Sequence, residues 1–428
     1  MSGELDVYLH KFLVGHLIQD GHGEVLFKYA PAWIENPAAT PLSLSLPLQT
    51  DTFGQKLCKP FFAGTLPDVV KRKIIAKNLG ISANNDFAML EEIGGECAGA
   101  VTFVKTGDRL PAADDSHRAL SIAELSNILR ELPRRPLMAG ESGVRLSLAG
   151  AQDKIPVVIQ GGNIMLPLNN APSSHIIKPS IVEYDGMVFN EAFCMKLAKA
   201  VRLPVADVEI GKAEDIDYLL VERYDRVHKI VGGHLQWERI HQEDFSQALG
   251  IIPEWKYQVE GGPSLKQCFD LVRSNSTLPA VDLRNLLRSV IFNFLIGNHD
   301  AHGKNFSLLH IIYDATLSTP LLGDASQIRM APLYDLVCTP VYPTLSKNMA
   351  MKIGRARRID EVDPVQFERF ADEIAFAKPL VKQLVIELAG TVLEKLGEVD
   401  VEHIIVDDIR KFIGEHCQAV LKAFTKQQ

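Results

Sequence analysis

The sequence lacks the features that define several common protein classes. Six cysteines are scattered along 428 residues, and no two of them form a C-x-x-C pair. That absence argues against a zinc module and against a disulfide framework. The formal net charge is -8 at pH 7, so the chain as a whole has no electrostatic attraction to nucleic acid. Any contact with DNA would need a local basic patch or a partner protein.

Long apolar runs and a targeting segment are also missing. No stretch approaches the roughly 18 apolar residues of a membrane span, and the first residues lack the basic and apolar regions of a signal peptide. We therefore expect a soluble, cytoplasmic protein with no membrane partner. Hydrophobic residues make up 46% of the 428 positions, which is enough for a large core and for two or three domains.

The sequence pattern divides the chain into four segments. Residues 1–105 combine strand-like alternation with short helical stretches, and 106–140 form a polar linker with one helix. Strand-like runs dominate 141–228, with a helix from about 190 to 201, whereas 229–428 are mainly helical. We therefore predict an α+β protein with a β-rich lobe followed by a helical lobe.

One helix and the loop after it carry most of the predicted chemistry. Apolar residues from 283 to 295 recur at helical spacing and predict a buried helix. In the polar loop that follows, Asp300 precedes Asn305 by five residues. This is the spacing of the protein kinase catalytic loop, where Asp accepts the hydroxyl proton and Asn holds a metal ion. An ordinary capped turn would also fit the spacing. Residues expected near the phosphates are His302, Gly303 and Lys304.

Phosphoryl transfer also requires a second metal ligand and a cation for the phosphates. Asp335 follows a short apolar segment after the loop, where kinases place the second magnesium ligand. Lys178 ends a strand-like run and can reach nucleotide phosphates, with Glu191 on the next helix as its partner. Taken singly, Asp335 also fits a turn, Lys178 an edge strand, and Glu191 the first turn of a helix.

Two more segments complete the predicted nucleotide site. Small residues between two predicted strands let backbone N–H groups approach phosphates, although the loop is neither a G-x-G-x-x-G nor a Walker A motif. The connector at 221–225 offers backbone groups and an aromatic ring to the adenine, or else a surface ion pair between Arg223 and Asp225. The ATP-binding residues predicted beyond the catalytic loop are Ala149, Gly150, Ala151, Gln152, Asp153, Lys154, Lys178, Glu222, Arg223, Tyr224, Tyr334 and Asp335.

The sequence contains one basic cluster, near the end of the predicted site. Such a cluster is usually a solvated face, but it could also steer an acidic peptide, tRNA or DNA toward the protein. Its members are Lys347, Lys352, Arg355, Arg357 and Arg358.

In their order and spacing, these motifs resemble the HipA family of serine/threonine kinase toxins from bacterial HipBA toxin–antitoxin modules. Departures from the family pattern are small: Asp153 replaces a Glu, and His299 and Ala301 flank Asp300 in place of Thr and Gly. None of these changes removes a chemical role, but they leave the choice of protein substrate open. The segments that carry the resemblance are 66–68, 92–94, 99–101, 146–154, 174–178, 221–226, 242–244, 298–307 and 331–335.

The resemblance implies a bilobal protein-kinase-like fold with an extra N-terminal β-rich subdomain and a helical C-terminal lobe. It implies ATP and Mg²⁺ as cofactors, with Asp300 as proton acceptor and Asn305 and Asp335 as metal ligands. It also implies autophosphorylation of Ser147, where a phosphate would add about −2 charge at the ATP phosphate site and shut the enzyme down. The implied protein substrate is glutamyl-tRNA synthetase, and the implied partner is HipB, a helix-turn-helix antitoxin that binds operator DNA.

Two other functions remain open from the sequence. A small-molecule phosphotransferase of the aminoglycoside-kinase type shares the Asp-to-Asn loop. A non-catalytic corepressor would work only by binding an antitoxin on DNA.

Overall fold

The structure, a computed structural model, describes residues 3–110, 116–181, 183–231, 234–311 and 326–425, and only the backbone at 229–231 and 234–236. Two hydrophobic cores organise these parts of the chain. One core joins the N-terminal subdomain to one face of the small-lobe sheet. The other joins the small-lobe helix to the C-terminal lobe. Each lobe therefore packs against a core of its own.

The N-terminal subdomain is an antiparallel four-stranded sheet, in the order β3-β2-β1-β4, with helices packed against it. The alternation predicted for the first strand is observed, because Leu5, Val7 and Leu9 are all buried. The elements are β1 (Gly3–Leu9), β2 (Phe12–Gln19), β3 (Val25–Tyr29), α1 (Pro31–Ile34), α2 (Gln55–Gly64), α3 (Val69–Leu79), α4 (Asp86–Ile93) and β4 (Val101–Lys105).

The small lobe is a six-stranded sheet, in the order β5-β7-β6-β8-β10-β9. Its edge strand β5 comes from the 106–140 segment, so that segment is more than the linker and helix that we predicted. Gly161 and Gly162 turn between β6 and β7 with positive φ angles of 57° and 80°, a backbone that glycine adopts without strain. The elements are β5 (His117–Ala119), α5 (Ile122–Glu131), β6 (Ile155–Gln160), β7 (Asn163–Pro167), β8 (His175–Pro179), α6 (Met187–Ala200), β9 (Val208–Ala213) and β10 (Ile216–Glu222).

Helix α6 begins three residues before the predicted start at Asn190. Asn190 is therefore fully buried inside the helix rather than at its N-cap. Its side-chain amide donates to the carbonyl of Cys338 (2.9 Å) and accepts from the N–H of the same residue (2.8 Å). This paired contact fixes α6 to the segment that follows Asp335.

The C-terminal lobe is mainly helical and also carries two β-hairpins and a small three-stranded sheet. Asp363 caps α10 and Pro364 occupies its first turn, as predicted. The elements are β11 (Arg226–Val231), β12 (His234–Arg239), β13 (His241–Asp244), α7 (Phe245–Ala248), α8 (Leu265–Asn275), α9 (Pro279–Ile296), β14 (Ser307–Ile311), β15 (Gln327–Met330), β16 (Asn348–Ile353), β17 (Ala356–Arg358), α10 (Pro364–Glu373), α11 (Lys378–Lys395) and α12 (Ile404–Thr425). Within the described ranges, no helix combines the length and apolar character needed to cross a membrane.

Candidate active site

Helix α9 delivers the predicted catalytic loop into the cleft. The helix ends at Gly297, whose φ of +76° is a left-handed C-cap; a side chain at this position would clash with Phe412. Nearly the whole inner length of α9 is buried, as its apolar periodicity predicted. The loop therefore starts from a fixed point in the core of the C-terminal lobe.

Hydrogen bonds inside the loop hold the backbone around Asp300. The carbonyl of Asp300 accepts from the N–H of His302 (2.7 Å) and from the side-chain amide of Asn305 (3.0 Å). The Asp300 N–H donates to the side-chain oxygen of Asn298 (3.1 Å). His302, Gly303 and Lys304 are buried beneath the loop, whereas Asp300 is exposed. The carboxylate of Asp300 is thus accessible to an acceptor hydroxyl.

A tyrosine that we did not predict contacts Asp300. The hydroxyl of Tyr257 donates to Oδ1 of Asp300 at 2.7 Å. Burial and the neighbouring Asp300 carboxylate raise the pKa of Tyr257 above its usual value, so the tyrosine is a hydrogen-bond donor at neutral pH. Residues 254–262 are irregular in the sequence pattern, and no local signal pointed to this contact.

Lys178, Glu191 and Asp335 form an ion network inside the cleft. Lys178, at the end of β8, is only 5% exposed. Its ammonium lies 2.6 Å from the Glu191 carboxylate on α6 and also pairs with Asp335. The strand-lysine and helix-glutamate pair expected of a kinase is therefore present, together with the predicted metal ligand.

Burial and charge set the protonation of this network. Burial raises the pKa of Glu191 to about 7, and Lys178 opposes the shift only in part. Burial would also raise the pKa of Asp335, but Lys178 and Lys154 hold it well below its usual range. Burial acts to lower the pKa of Lys178, yet the two carboxylates keep it above its usual value. Lys178 and Asp335 are therefore charged, and Glu191 is the member closest to neutrality.

Asn305 and Asp335 supply a donor set that suits a magnesium ion. The Asn305 side chain uses its N–H₂ group on the Asp300 carbonyl, so its amide oxygen is the atom directed to a ligand. Asp335 is ionised and has a left-handed backbone with φ +54°, which is unusual for a residue other than glycine and marks many functional sites. Carboxylate and amide oxygens are hard ligands that Mg²⁺ prefers.

The predicted phosphate loop is short and closed on itself. Lys154 donates to the carbonyl of Ala149 (2.7 Å) across the turn. Gly150 has a φ of +114°, and a side chain there would clash with the Lys154 ammonium. Burial lowers the pKa of Lys154 to about 8, despite the attraction of Asp335. Ala151, Gln152 and Asp153 complete the bend before β6, and Asp153 pairs with Lys71 of α3 (2.5 Å).

Ser147 is fully buried at the base of this loop. Its hydroxyl donates to the carbonyl of Thr65 (2.9 Å), and its N–H donates to the carbonyl of Glu96 (2.9 Å). Both partners belong to the N-terminal subdomain. A phosphoryl group could reach this hydroxyl only after the loop leaves its present position.

The side chain of Arg223 is engaged in buried ion pairs, so only its backbone is available for the predicted contact with the adenine. Its guanidinium is buried against Glu96 (3.1 Å) and Asp225 (2.7 Å). The alternative of a surface ion pair with Asp225 is also wrong, because both residues are less than 5% exposed. For the adenine contact, the backbone of Arg223, the exposed Glu222 and the ring of Tyr224 remain. Tyr224 stacks on Tyr334 with ring centroids 5.5 Å apart.

Glu96, which sequence reasoning missed, joins the N-terminal subdomain to this connector. Its two carboxylate oxygens accept from Ser173, Arg223, Arg226 and Arg239. Burial alone would raise its pKa, but the three arginines hold it well below its usual range. Because these partners lie more than 70 positions away in sequence, no local pattern indicated the network.

The predicted basic cluster lies on the β16–β17 hairpin and the turn before it. Lys347, Arg355, Arg357 and Arg358 are exposed, and Lys352 is half-buried. Arg358 pairs with Asp360. The N–H of Lys352 donates to the side chain of Gln258 (2.9 Å), the neighbour of Tyr257. The basic hairpin therefore adjoins the acceptor side of Asp300.

Comparison with known proteins identifies the family of this chain. The model of the HipA-like C-terminal domain family matches residues 146–396, and that of the HipA N-terminal domain matches 5–104. Putative kinase Y4mE of Sinorhizobium fredii is 42% identical over 412 residues, which cover 95% of this chain and 94% of the relative. The serine/threonine-protein kinase toxin HipA of Shewanella oneidensis is 29% identical over 413 residues, covering 92% of this chain and 89% of the toxin.

A solved structure that contains HipA of Shewanella oneidensis has a similar fold. The Shewanella oneidensis HipA, HipB and operator DNA complex contains a chain that matches with a TM-score of 0.83 and 25% identity, covering 99% of this chain and 98% of that chain. The α+β architecture and the family resemblance predicted from the motifs are thus confirmed. Since the family domains span most of the chain, the protein belongs to the HipA family of kinases.

Proposed function

We propose that the protein is an ATP-dependent serine/threonine protein kinase that acts as the toxin of a type II toxin–antitoxin module. The observation that carries the proposal is the cleft itself. Lys178 lies between Glu191 and Asp335, while Asp300 stands exposed on the adjoining loop. A relative with 29% identity is named a serine/threonine-protein kinase toxin, which supports the same reading.

In this proposal Asp300 accepts the proton of the substrate hydroxyl. The hydroxyl oxygen forms a bond to the γ-phosphorus as the bond between that phosphorus and the oxygen of the ADP leaving group breaks. Lys178 holds the phosphates, and Glu191 keeps Lys178 in place. Mg²⁺, held by Asn305 and Asp335, would neutralise charge on the phosphate oxygens. Asp300 contributes roughly 10²- to 10⁴-fold to the rate as a general base.

The remaining nucleotide contacts follow the predicted segments. The 149–154 loop presents backbone N–H groups and Lys154 to the phosphates. His302, Gly303 and Lys304 approach from the opposite loop. At the other end, the adenine meets the connector at 222–224 through its backbone and the stacked pair of Tyr224 and Tyr334.

Autophosphorylation of Ser147 would regulate the enzyme. A phosphate there would carry about −2 charge and would lose the hydrogen bond to the Thr65 carbonyl that now holds the side chain. Because the hydroxyl is fully buried, the loop would have to leave its present position to accept that group. A displaced loop cannot cradle ATP, and the kinase would be switched off.

The proposed partners follow from the family. A HipB-type helix-turn-helix antitoxin would neutralise the toxin in the cytoplasm and bind operator DNA, with this chain as corepressor. The structure that matches contains HipA, HipB and operator DNA, which supports such an assembly. The net charge of -8 means that the antitoxin would provide most of the attraction to DNA. The proposed protein substrate is glutamyl-tRNA synthetase, whose phosphorylation would arrest growth and produce persistence.

Intact-mass spectrometry after incubation with Mg-ATP tests the kinase. Phosphatase-treated wild-type protein should gain one phosphate, and Ser147→Ala and Asp300→Asn should gain none. Purified glutamyl-tRNA synthetase added to the Ser147→Ala variant should still be phosphorylated, because that variant keeps every catalytic group. Asp270→Asn, on the exposed face of α8, is the matched control and should behave as wild type.

The outcomes separate the alternatives. If wild-type protein phosphorylates neither itself nor the synthetase, the protein-kinase proposal is wrong. Transfer to an aminoglycoside alone would favour the small-molecule phosphotransferase. Operator repression that survives Asp300→Asn, with no transfer in any assay, would favour the corepressor without catalysis.

A further inference from the structure

Asp68 brings a carboxylate of the N-terminal subdomain into the kinase cleft. It is the N-cap residue of α3, yet its side chain accepts no hydrogen bond from that helix. One carboxylate oxygen instead pairs with Lys256, and the other lies 3.5 Å from the ammonium of Lys304. An N-cap aspartate normally binds the first N–H groups of its helix. Here the carboxylate is directed to two lysines of the C-terminal lobe.

Lys304 is the more unusual of these lysines. It is 8% exposed, and its ammonium donates no hydrogen bond to any residue in the described ranges. A lysine ammonium has three N–H donors, and burying them without acceptors is costly. The nearest carboxylate oxygen, at 3.5 Å, satisfies its charge only in part. The position therefore suits an anion with several acceptor oxygens.

The same turn also contacts the phosphate loop. The N–H of Asp68 donates to the carbonyl of Gly150 (3.3 Å), and Lys71 pairs with Asp153 one helical turn later. Lys304 directly precedes Asn305 on the catalytic loop. Asp68 thus lies between the two loops that would enclose the last phosphate of a bound nucleotide.

A second carboxylate near Lys304, that of Asp244, is already engaged in capping a helix. Asp244 caps α7, and its Oδ1 accepts from the N–H of Gln247 at 2.8 Å. Burial raises the pKa of Asp244 to about 6, with Lys304 opposing the shift. Asp68 has no such role in its own helix and can be replaced by another anion without loss of a cap.

We propose that Lys256 and Lys304 form a subsite for the terminal phosphoryl group of the nucleotide, and that Asp68 is the resident anion that this group displaces. The inference rests on the proposed kinase function and adds a residue of the N-terminal subdomain to the nucleotide site. A terminal phosphoryl group has three acceptor oxygens and about two negative charges, so it satisfies both lysines better than one carboxylate. Nucleotides with fewer phosphates do not reach the subsite and leave Asp68 in place.

Asp68→Asn tests the displacement directly. Asparagine has the same shape and is an equally good N-cap, but it competes far less for the two lysines. We measure binding of AMP, ADP and AMP-PNP with Mg²⁺ to the full chain by isothermal titration calorimetry. The variant should bind AMP-PNP on the order of tenfold more tightly than wild type, whereas ADP and AMP, which do not reach the subsite, should bind to both proteins equally. Asp270→Asn, which also removes a carboxylate paired with lysine, should change none of the three.

A second substitution tests whether the gain comes from the two lysines or only from the removal of a negative charge. Lys256→Gln in the Asp68→Asn background should abolish the gain for AMP-PNP, because the phosphoryl group loses one of its two lysines. Thermal unfolding checks that the variants are folded, and Asp68→Ser, another good N-cap, replaces Asp68→Asn if that variant fails.

The results that overturn the inference are clear. Weaker AMP-PNP binding by Asp68→Asn would mean that Asp68 holds the lysines in place for the nucleotide. An equal gain for all three nucleotides, or a gain for free phosphoserine but not for AMP-PNP, would also contradict the subsite. If wild-type protein binds none of the nucleotides, the proposed kinase function itself fails. Normal wild-type binding without a selective gain of AMP-PNP affinity in Asp68→Asn overturns the subsite alone.

Discussion

The network around Glu96 and the network around Lys178 use the same kinds of charge for different ends. Glu96 is enclosed by three arginines and a serine, and both of its oxygens accept hydrogen bonds. Lys178 sits between two carboxylates, and in the same cleft the Lys304 ammonium finds no hydrogen-bond acceptor among the described residues. The carboxylate of Glu96 is therefore fully paired within the protein.

The difference lies in the cations: arginines make the network around Glu96 a structural one, and lysine makes the network around Lys178 a functional one. Guanidinium groups bind a carboxylate in fixed, multidentate geometry and rarely exchange partners. A lysine ammonium is a point charge that can move between a carboxylate and a phosphate. We therefore expect the Glu96 network to stabilise the contact between the N-terminal subdomain and the small lobe. The Lys178 network should change its partners when MgATP binds.

The largest effect is expected when the network around Lys178 is broken. Lys178→Met should lower phosphoryl transfer on the order of 10³-fold, because the phosphates lose a positioned cation. The initial rate of ADP release with a protein substrate measures this loss. Arg239→Met, at the rim of the Glu96 network, is the comparison and should keep transfer within tenfold for the folded protein. Equal losses in the two variants would show that the networks do not differ in function.

The second largest effect is on stability, and here the network around Glu96 should be the more sensitive of the two. Glu96→Gln removes the anion that Arg223, Arg226 and Arg239 share, and within the described ranges only the first two of them retain another carboxylate, that of Asp225. This loss should reduce the free energy of unfolding by about 3–5 kcal/mol. Urea denaturation followed by circular dichroism measures the change. Asp270, which pairs with Lys266 and Arg273 on the surface of α8, gives the control, since Asp270→Asn should cost less than about 1 kcal/mol. A similarly small cost for Glu96→Gln would mean that the network does not stabilise the domain contact.

The pH dependence of the two glutamates should have opposite signs. The lowered pKa of Glu96 means that its contribution to stability is full above its unfolded pKa, near about 4.3, and is lost as the pH falls further. The pKa of Glu191 is raised to about 7 by burial. Its contribution is therefore full below the unfolded pKa and is lost as the pH rises toward 7.

Unfolding free energies between pH 3 and pH 8 test these signs. The cost of Glu96→Gln should be constant above about pH 5 and should shrink as the pH falls below about 4. Relative to wild type, Glu191→Gln should become more stable from pH 4.5 to pH 7, by at most about 1.4 kcal/mol per pH unit. A parallel pH dependence of the two variants would contradict the assigned protonation states.

The smallest effect concerns the acceptor side of the cleft. The Tyr257 hydroxyl donates a hydrogen bond to Oδ1 of Asp300 and so competes with the substrate hydroxyl for this carboxylate. Tyr257→Phe should therefore raise kcat/KM for a protein substrate by roughly threefold, since a hydrogen bond to a charged group is worth about 1–3 kcal/mol and is only partly recovered in water. Tyr342→Phe removes a hydroxyl that donates to the Asp185 carbonyl and should leave kcat/KM unchanged. A drop for Tyr257→Phe would instead make the hydroxyl a positioning group for Asp300.

The functional network was largely predictable because its parts lie in regular local patterns. Apolar periodicity located α9 and therefore the loop with Asp300 and Asn305. Lys178 closes a strand and Glu191 lies in the following helix, which is the arrangement in which kinases pair a strand lysine with a helix glutamate. The start of α6 was placed too late because Gly186, in a left-handed conformation, caps the helix without a side-chain signal.

The network around Glu96 and the contact between Asp68 and Lys256 were not predictable in this way. Asp68 and Lys256 are 188 positions apart, and Glu96 and Arg226 are 130 apart. From the neighbouring sequence alone, Asp68 is expected to be an N-cap and Arg223 part of a surface ion pair. Nothing in the local pattern contradicts either expectation. The packing of the N-terminal subdomain against the cleft decides where these side chains point, and a single sequence does not contain that information.

A crystal structure with Mg²⁺ and AMP-PNP tests the comparison most directly. The account predicts that Asp335 leaves Lys178 for the metal ion together with Asn305, that Lys178 keeps Glu191 and gains a phosphate oxygen, and that Lys304 gains phosphate oxygens. The contacts of Glu96 should be unchanged. A nucleotide bound outside this cleft, or a bound nucleotide with the contact between Lys178 and Asp335 intact, would contradict the account.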